Sequence, residues 1–259
     1  FFSIFFPTFN YRCKYPTLTS KNKNIMTRTK PIGVIGIIAP FNFPLHIPNG
    51  QIMPALLTGN KVIIKSSEYT INTTKMIESL WNDVFKQIDS PIQFVYGGSD
   101  IGEEIVKNKK VNGIFFTGSS KVGKKIEKKC LELRKMCALE MGGNNPLIIE
   151  DATDSIINHL NVSAFITAGQ RCSCARRIII NKSEEKIVDQ WLNEIKKLNI
   201  SRYPNKIDTF MGPIVIQETK NKLLTKKYEK STTILSSRNL GKGGLISPRV
   251  EITEDFQDE

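Results

Sequence analysis

The sequence predicts an α/β protein in which parallel strands are covered by helices. Short runs rich in β-branched residues alternate with longer amphipathic segments from residue 31 onward, which is typical of strand-helix-strand units. Paired glycines and a proline then interrupt the chain in "EMGGNNP", residues 140–146. We therefore expect two α/β lobes that meet near residue 141.

The elements of both lobes follow from hydrophobic periodicity. In the first lobe we expect strands at 33–39, 61–65, 92–96 and 111–116. A helix near residues 50–58 should stop at Gly59 and Asn60, and Ser119 should begin the helix that follows the strand ending in "FFTG". In the second lobe we expect strands at 146–150 and 177–181, a helix from about 153 to 168 and an amphipathic helix at 184–198.

The composition is that of an ordinary globular protein, with 40% hydrophobic and 24% charged residues among 259. Its net charge of +12 raises the possibility of a nucleic-acid partner. The lysines are scattered, however, without the interleaved aromatics or single basic stripe of a nucleic-acid site. We interpret them as solvated faces and expect no nucleic-acid partner.

The cysteines and the N-terminal residues indicate whether the protein binds a metal, which compartment it occupies and whether it enters a membrane. Five cysteines without paired CxxC spacing indicate no metal site and a reducing compartment, the cytoplasm. The aromatic opening has an apolar stretch that stops at Pro7, short of the roughly 20 residues of a membrane span. It lacks a basic leader and an initiating Met, so we expect neither a signal peptide nor a membrane partner.

Two motifs of the first lobe suit a nucleotide. "FTGSSKVGK", residues 116–124, follows a strand and enters a helix, so its backbone N–H groups and Gly118 suit a pyrophosphate. The spacing is neither GxGxxG nor a P-loop, and a plain strand-to-helix turn is the alternative. "KSSE" places Lys65 and Glu68 at the carboxyl edge of the expected sheet, where open α/β sheets bind nucleotides, although an exposed ion pair explains it equally well.

Two other polar residues follow apolar strands. Asn42 lies between prolines in "APFNFP", a rigid setting for an amide that donates to a developing oxyanion, and a simple polar loop is the alternative. Glu140 precedes Gly142 and Gly143, which leave space around it. A carboxylate held in a cleft there would act as a general base for water, whereas an ordinary strand-end glutamate is exposed and has no such role.

The run "GQRCSCARR", residues 169–177, contains two cysteines one residue apart. If the segment is extended, Cys172 and Cys174 point to opposite faces, so only one of them reaches a shared cleft. They are also poorly placed for a disulfide with each other. Arg171 supplies a local positive charge that favours a thiolate, so one cysteine of the run is a candidate nucleophile.

The five motifs together occur in the order and approximate spacing of the aldehyde dehydrogenase superfamily, which the chain resembles from about residue 27 to its end. The resemblance implies a Rossmann-like NAD-binding domain over 27–140 and an α/β catalytic domain over 141–259. Residues 1–26 stay unassigned. Because the family chain is longer, we expect a fragment of that fold, incomplete at both ends.

The resemblance also implies a reaction. Cys172 would add to an aldehyde, and Asn42 with the backbone N–H of Cys172 would form the oxyanion hole. The thiohemiacetal would lose hydride to NAD and leave a thioester. Glu140 would then activate water to release the acid, a role that enzymes using coenzyme A do not need.

The cofactor residues implied by the resemblance come from two motifs. Lys65 and Glu68 would meet the adenosine ribose, and Glu68 would favour NAD over NADP. Residues Gly118, Ser119 and Gly123 would lie along the pyrophosphate.

The segments "HIPNG", "LEMGGNNPLIIED" and "AGQRCSCARR" are most similar to the corresponding segments of family members that oxidise N-succinylglutamate 5-semialdehyde in arginine catabolism. That substrate carries two carboxylates, for which Arg171 and His46 are candidate partners, although either can instead be structural. Ser66 departs from the family pattern, which has proline there. The alternatives are another semialdehyde or aliphatic aldehyde, or an inactive remnant that binds only nucleotide; the family itself is homo-oligomeric.

Overall fold

A computed structural model of the protein describes residues 30–151, 153, 155–202, 208–227, 229–241 and 243–253. The unassigned segment 1–26 and its Cys13 lie outside the described residues. The chain divides into two compact units, and the break falls between Gly142 and Gly143 in the glycine-rich stretch.

The first unit is built on a five-stranded sheet with the strand order β3-β2-β1-β4-β5, in which every neighbouring pair is parallel. The strands are β1 Val34–Ile38, β2 Lys61–Lys65, β3 Ile92–Val95, β4 Gly113–Gly118 and β5 Met136–Met141. The helices are α1 His46–Leu57, α2 Ile71–Phe85, α3 Ser99–Lys107 and α4 Ser120–Glu132. The expected parallel α/β fold is confirmed.

Helices cover both faces of this sheet because β1 alternates between two apolar cores. Ile35 and Ile37 pack with α1 and α2 on one face. Val34 and Ile38 pack with α3 and α4 on the other. Gly36 lets α3 come close, since a Cβ at that position would lie 2.5 Å from the Ile105 side chain.

The strand order changes direction at β1: the chain first adds strands on one side of β1 and then on its other side. The strands β2 and β3 lie on one side of it, and β4 and β5 lie on the other. In an open parallel sheet the loops that leave such a reversal separate and form a crevice at the carboxyl edge, where ligands bind. The loop after β1 and the turn after β4 therefore flank the candidate ligand crevice.

The second unit contains two small sheets, a parallel pair β6-β7 and an antiparallel pair β8-β9. Its strands are β6 Asn145–Ile149, β7 Ala175–Ile180, β8 Ser231–Leu235 and β9 Val250–Thr253, and its helices are α5 Ile156–Phe165, α6 Lys186–Ile195 and α7 Gln217–Thr225. Leu160 of α5 and Trp191 of α6 are buried in one core with Ile149, and the indole N–H of Trp191 donates to Asn161 at 2.9 Å.

Two helices differ from their expected bounds. The helix expected near 50–58 begins earlier, at His46, because Pro48 lies in its first turn, where no intrahelical N–H is required. The helix expected to reach residue 168 ends at Phe165 and is followed by a 3₁₀ turn, Ile166–Gly169. Thr167 and Ala168 adopt φ values of 57° and 55° there, which an α-helix does not allow.

Many lysines pair with glutamates one turn away. Three such pairs lie on helices and a fourth spans the end of α6, with Nζ to Oε distances of 2.6–2.7 Å: Lys107–Glu103, Lys129–Glu132 and Lys222–Glu218 on helices, and Lys197–Glu194 at the end of α6. Pairs of this kind are typical of solvated helix faces. In the described part of the chain, no helix is both long and apolar enough to cross a bilayer, and no three His, Cys, Asp or Glu side chains form a metal-binding group.

Candidate active site

Most of the residues singled out in the first unit lie at one edge of its sheet. Because the five strands are parallel, their carboxyl ends share that edge. The loop after β1 carries Asn42, β2 ends at Lys65, β4 ends at Gly118 and β5 carries Glu140 next to its last residue. The structure thus brings together residues that are up to 98 positions apart in the sequence, from Asn42 to Glu140.

The Asn42 loop is tied to its neighbour strand. The backbone N–H of Ala39 donates to the carbonyl of Lys65 at 2.9 Å, which continues the β1–β2 ladder into the loop. Asn42 is half-buried. His46, the first residue of α1, is exposed and meets the ring of Phe43 edge-on at 6.5 Å between centroids.

Lys65 and Glu68 form an ion pair, with 3.1 Å between Nζ and Oε2. The Lys65 side chain is only 7% exposed, whereas that of Glu68 is 44% exposed. Burial alone would raise the pKa of Glu68, but its hydrogen bond to backbone N–H and its contact with Lys65 outweigh this effect and lower the pKa below 4.5. Glu68 is therefore a carboxylate near neutral pH and accepts hydrogen bonds at the sheet edge.

The β4–α4 turn places the N-terminus of α4 at the carboxyl edge of the sheet. Ser119 caps α4 and accepts from the N–H of Val122 at 3.4 Å, while the first turn contains no acidic residue. Lys121 lies in that turn and is exposed, although cations are disfavoured near the positive end of a helix dipole. An anionic ligand would offset this unfavourable placement. The turn therefore fits a pyrophosphate, and the Lys65–Glu68 pair two strands away fits a ribose.

Packing explains why glycine occupies position 118 at the end of β4 and position 123 in the first turns of α4. A Cβ on Gly118 would lie 2.6 Å from the ring of Phe116, and a Cβ on Gly123 would lie 2.4 Å from Sδ of Met141. Gly123 is buried, so its absent side chain lets α4 sit close to β5. Close packing of this kind positions the helix N-terminus against the sheet edge.

Glu140 is exposed, whereas the general-base expectation required a cleft around it. The side chains of β5 alternate: Cys137, Leu139 and Met141 pack into the core shared with α3 and α4, so Glu140 lies on the opposite face of the strand. In the pairing of β5 with β4, Glu140 lies opposite Thr117. The register fixes the glutamate beside the β4–α4 turn, and the described residues of this unit do not enclose it.

A hydrogen bond that the sequence did not suggest links α1 to this edge. Nε2 of Gln51 donates to Oγ1 of Thr117 at 3.2 Å. Oε1 of Gln51 is buried, and no described group donates a hydrogen bond to it. A buried acceptor without a donor costs about 1–3 kcal/mol. The position of Gln51 on α1, five residues after His46, gave no sequence signal for this contact.

In the second unit the two cysteines of the "RCSC" run differ in exposure. Cys172 is exposed, whereas Cys174 is buried and its thiol donates to the carbonyl of Ile166 at 3.6 Å. The segment is a turn, not the extended strand that the expectation assumed. The two side chains nevertheless have different surroundings, so only the thiol of Cys172 is open to a reactant from solvent.

One asparagine fixes the Cys172 turn. Nδ2 of Asn145 donates to the backbone carbonyls of Cys172 at 2.5 Å and of Cys174 at 3.0 Å. Among the described residues, none accepts a hydrogen bond from the backbone N–H of Cys172. The turn is thus held through its carbonyls while that N–H remains available as a donor. The "GGNNP" motif contains Asn145, but its spacing of 27 residues from Cys172 concealed the contact.

The left-handed turn before Cys172 is held by its neighbours. Nε of Arg171 donates to Oγ1 of Thr167 at 2.8 Å, and Gln170 bonds to the carbonyls of Thr167 and Pro213. Oε1 of Gln170 also accepts from the N–H of Val215 at 3.0 Å. Arg171 was expected as a candidate substrate partner, and the structure shows it bonded within its own turn.

Comparisons with known proteins agree with this architecture. The model of the aldehyde dehydrogenase family matches residues 8–250. An N-succinylglutamate 5-semialdehyde dehydrogenase from Serratia proteamaculans (strain 568) is 35% identical over 245 residues, which cover 90% of this chain and 50% of that protein. A protein of the same name from Chromobacterium violaceum is 36% identical and covers 86% of this chain and 48% of its own length.

Solved structures give the same result. The NAD⁺ complex of an aldehyde dehydrogenase from Bacillus cereus superposes with a TM-score of 0.85 at 28% identity, covering 97% of this chain and 53% of that one. A betaine aldehyde dehydrogenase from Staphylococcus aureus superposes with a TM-score of 0.81 at 30% identity, and the match covers 92% of this chain and 50% of that one.

The protein belongs to the aldehyde dehydrogenase family. The resemblance stated from five motifs is thereby confirmed. The chain spans about half the length of the curated relatives it matches.

Proposed function

We propose that this chain supplies the cofactor edge and the nucleophile of an NAD-dependent aldehyde dehydrogenase that hydrolyses its thioester intermediate. The observation that carries the proposal is the Cys172 turn: an exposed thiol, clamped by Asn145, whose own N–H has no acceptor among the described residues. A fixed nucleophile beside a free N–H donor is what addition to a carbonyl requires.

The cofactor residues we propose lie along the carboxyl edge of the first unit. Lys65 and the ionised Glu68 bind the adenosine ribose, and Glu68 repels a 2′-phosphate, which favours NAD over NADP. The backbone of residues 118–123 and the N-terminus of α4 bind the pyrophosphate. When bound, NAD supplies the hydride acceptor.

The chain's own residues perform the remaining steps of the proposed reaction. Sγ of Cys172 adds to the aldehyde carbon, and the side-chain amide of Asn42 with the N–H of Cys172 stabilises the oxyanion; losing one such donor typically costs about 2.7–4 kcal/mol of barrier. The alkoxide loses hydride and leaves a thioester on Cys172. Glu140 then takes a proton from water, which attacks the thioester and frees the thiol.

Three variants test this mechanism by NADH absorbance. Cys172→Ala should abolish NADH formation, whereas Cys174→Ala should not, because the buried thiol of Cys174 takes no part. Glu140→Gln should give a single burst of NADH equal to the enzyme concentration and then stop, because the thioester forms but is not hydrolysed. Full steady-state turnover by Cys172→Ala would refute the proposed nucleophile.

For the substrate we propose N-succinylglutamate 5-semialdehyde, supported by the names of the relatives at 35–36% identity. Arg171 and His46 stay predictions as partners of its carboxylates. The test compares kcat/KM for this semialdehyde with that for a neutral aldehyde of equal length. A preference of tenfold or more for the acidic substrate supports the proposal, and equal values favour a general aliphatic aldehyde dehydrogenase.

We also propose that the protein acts in the cytoplasm and, on the sole ground that the resemblance implies a homo-oligomeric family, that it assembles with copies of itself. The four cysteines of the described residues are all free, which suits a reducing compartment. Sedimentation of the purified protein tests assembly, and a monomer at micromolar concentration would contradict it.

A further inference from the structure

The unpaired acceptor Oε1 of Gln51 lies beside the candidate ligand crevice, which the loop after β1 and the turn after β4 flank. Gln51 is on α1, which follows the loop after β1, and its amide reaches Thr117 near the end of β4. It therefore bridges the two elements that flank the crevice. As a residue Gln51 is half-buried, so its amide lies close to the surface that a ligand in the crevice would cover.

The order of the strands gives this crevice two ends. Under the proposed function, on which this inference rests, the adenosine ribose lies at β2 beside Lys65 and Glu68. The reacting end lies by Asn42, after β1, and by Glu140, on β5. Thr117 on β4 is between those two strands and directly opposite Glu140 in the register. Gln51 is thus at the reacting end, about two strand spacings, or roughly 10 Å, from β2.

We infer that Oε1 of Gln51 accepts a hydrogen bond from the carboxamide N–H of the nicotinamide ring. The carboxamide is the hydrogen-bond donor that the reacting half of NAD carries on its ring, and Oε1 is a buried acceptor that lacks a donor. The bond orients the ring because the carboxamide is conjugated with it. Thr117 holds the Gln51 amide in place by accepting from Nε2.

Ligand pairs that differ only at the nicotinamide end test this inference. The probes are NAD⁺, its deamido form with a carboxylate in place of the carboxamide, and ADP-ribose, which lacks the ring. Calorimetric titration of the wild-type protein should show NAD⁺ binding at least tenfold more tightly than deamido-NAD⁺, because a carboxylate offers no N–H and faces a lone pair of Gln51. Tenfold corresponds to about 1.4 kcal/mol.

Substitutions then assign the discrimination to Gln51. Gln51→Met, of similar size but without an acceptor, should lose most of the preference for NAD⁺ and leave the ADP-ribose affinity unchanged. Gln51→Glu keeps an acceptor and should retain the preference. Gln93→Met is the matched control, since Gln93 is exposed on β3 of the same sheet and should behave as wild type.

The outcomes separate this inference from the proposed function. If Gln51→Met weakens NAD⁺, deamido-NAD⁺ and ADP-ribose equally, or weakens none, the inference is wrong while the dinucleotide site stands. If the wild type binds neither NAD⁺ nor ADP-ribose, both are wrong. Should Gln51→Met fail to fold, Thr117→Val decides: losing the anchor for Nε2 should reduce the preference, and an unchanged preference would overturn the inference.

Discussion

Asn145 and Cys172 are joined by a hydrogen bond from the side-chain amide of one to the backbone carbonyl of the other. The same amide also reaches the carbonyl of Cys174, so a single side chain spans the turn that carries the exposed thiol. The strand β6 begins at Asn145, and the turn leads into β7, its parallel partner. The amide therefore ties the turn to the start of the sheet that supports it.

Asn145→Ala should lower kcat by tenfold or more, because the turn loses both bonds and the thiol loses its fixed position. We expect the free energy of unfolding to fall by about 1–2 kcal/mol. The dissociation constant for ADP-ribose should not change, since the proposed cofactor residues lie in the other unit. Asn158→Ala, at an exposed position on α5, is the control. A variant with wild-type kcat would show that the clamp is not required.

The cysteines should react with iodoacetamide in a fixed order. Of the four cysteines that the structure describes, Cys172 is the exposed one and should be alkylated first, while Cys174 and Cys130 are buried. Burial, with a contribution from neighbouring Cys137, raises the pKa of Cys130 to about 11, so its thiolate is scarce at pH 8. Peptide mass spectrometry over time measures the order. Faster labelling of Cys130 than of Cys172 would contradict the structure.

The Arg171–Thr167 bond predicts an energetic coupling within the turn before the nucleophile. Arg171→Met and Thr167→Val should each destabilise the protein by about 1 kcal/mol, and the double variant should cost less than their sum. Chemical denaturation of the wild type and the three variants measures the free energies of unfolding that this comparison needs. Additive effects, together with a raised KM for the acidic substrate alone in Arg171→Met, would instead support substrate binding by Arg171.

The depressed pKa of Glu68 predicts a pH-dependent contribution to stability. A carboxyl group whose folded-state pKa is lowered stabilises the protein above its unfolded pKa and loses that effect as pH falls through the folded value. The stability difference between wild type and Glu68→Gln should therefore be complete above about pH 5 and decline as the pH falls below 4.5 through the folded-state pKa. Because Glu68 is 44% exposed, we expect no more than about 0.5 kcal/mol. A stability difference that persists unchanged at pH 3 would show that the ionised form of Glu68 is not its source.

Local patterns in the sequence predicted much of the first unit. β2 matches its expected bounds of 61–65, and Ser119 caps the expected helix, because a β-branched run and a capping residue act within a few positions. The left-handed Thr167 and Ala168 were not predicted, since alanine favours a helix and the turn is held by contacts from residues such as Arg171 and Gln170.

The remaining details of the site depend on contacts between distant residues. Glu140 is exposed because it lies on the face of β5 opposite the one that packs into the core, and its motif alone does not record which face that is. The bond between Gln51 and Thr117 spans 66 positions. Residue types at the edge were therefore predictable, whereas their hydrogen-bond partners required the fold.

The lysines at the start of α4 make ionic strength a variable of the dinucleotide site. Lys121, Lys124 and Lys125 are exposed, so dissolved ions screen their attraction for a phosphate beyond about 8 Å at 0.15 M salt. Added salt would weaken cofactor retention without altering a single contact. Affinities of different variants are thus comparable only in buffers of equal salt content.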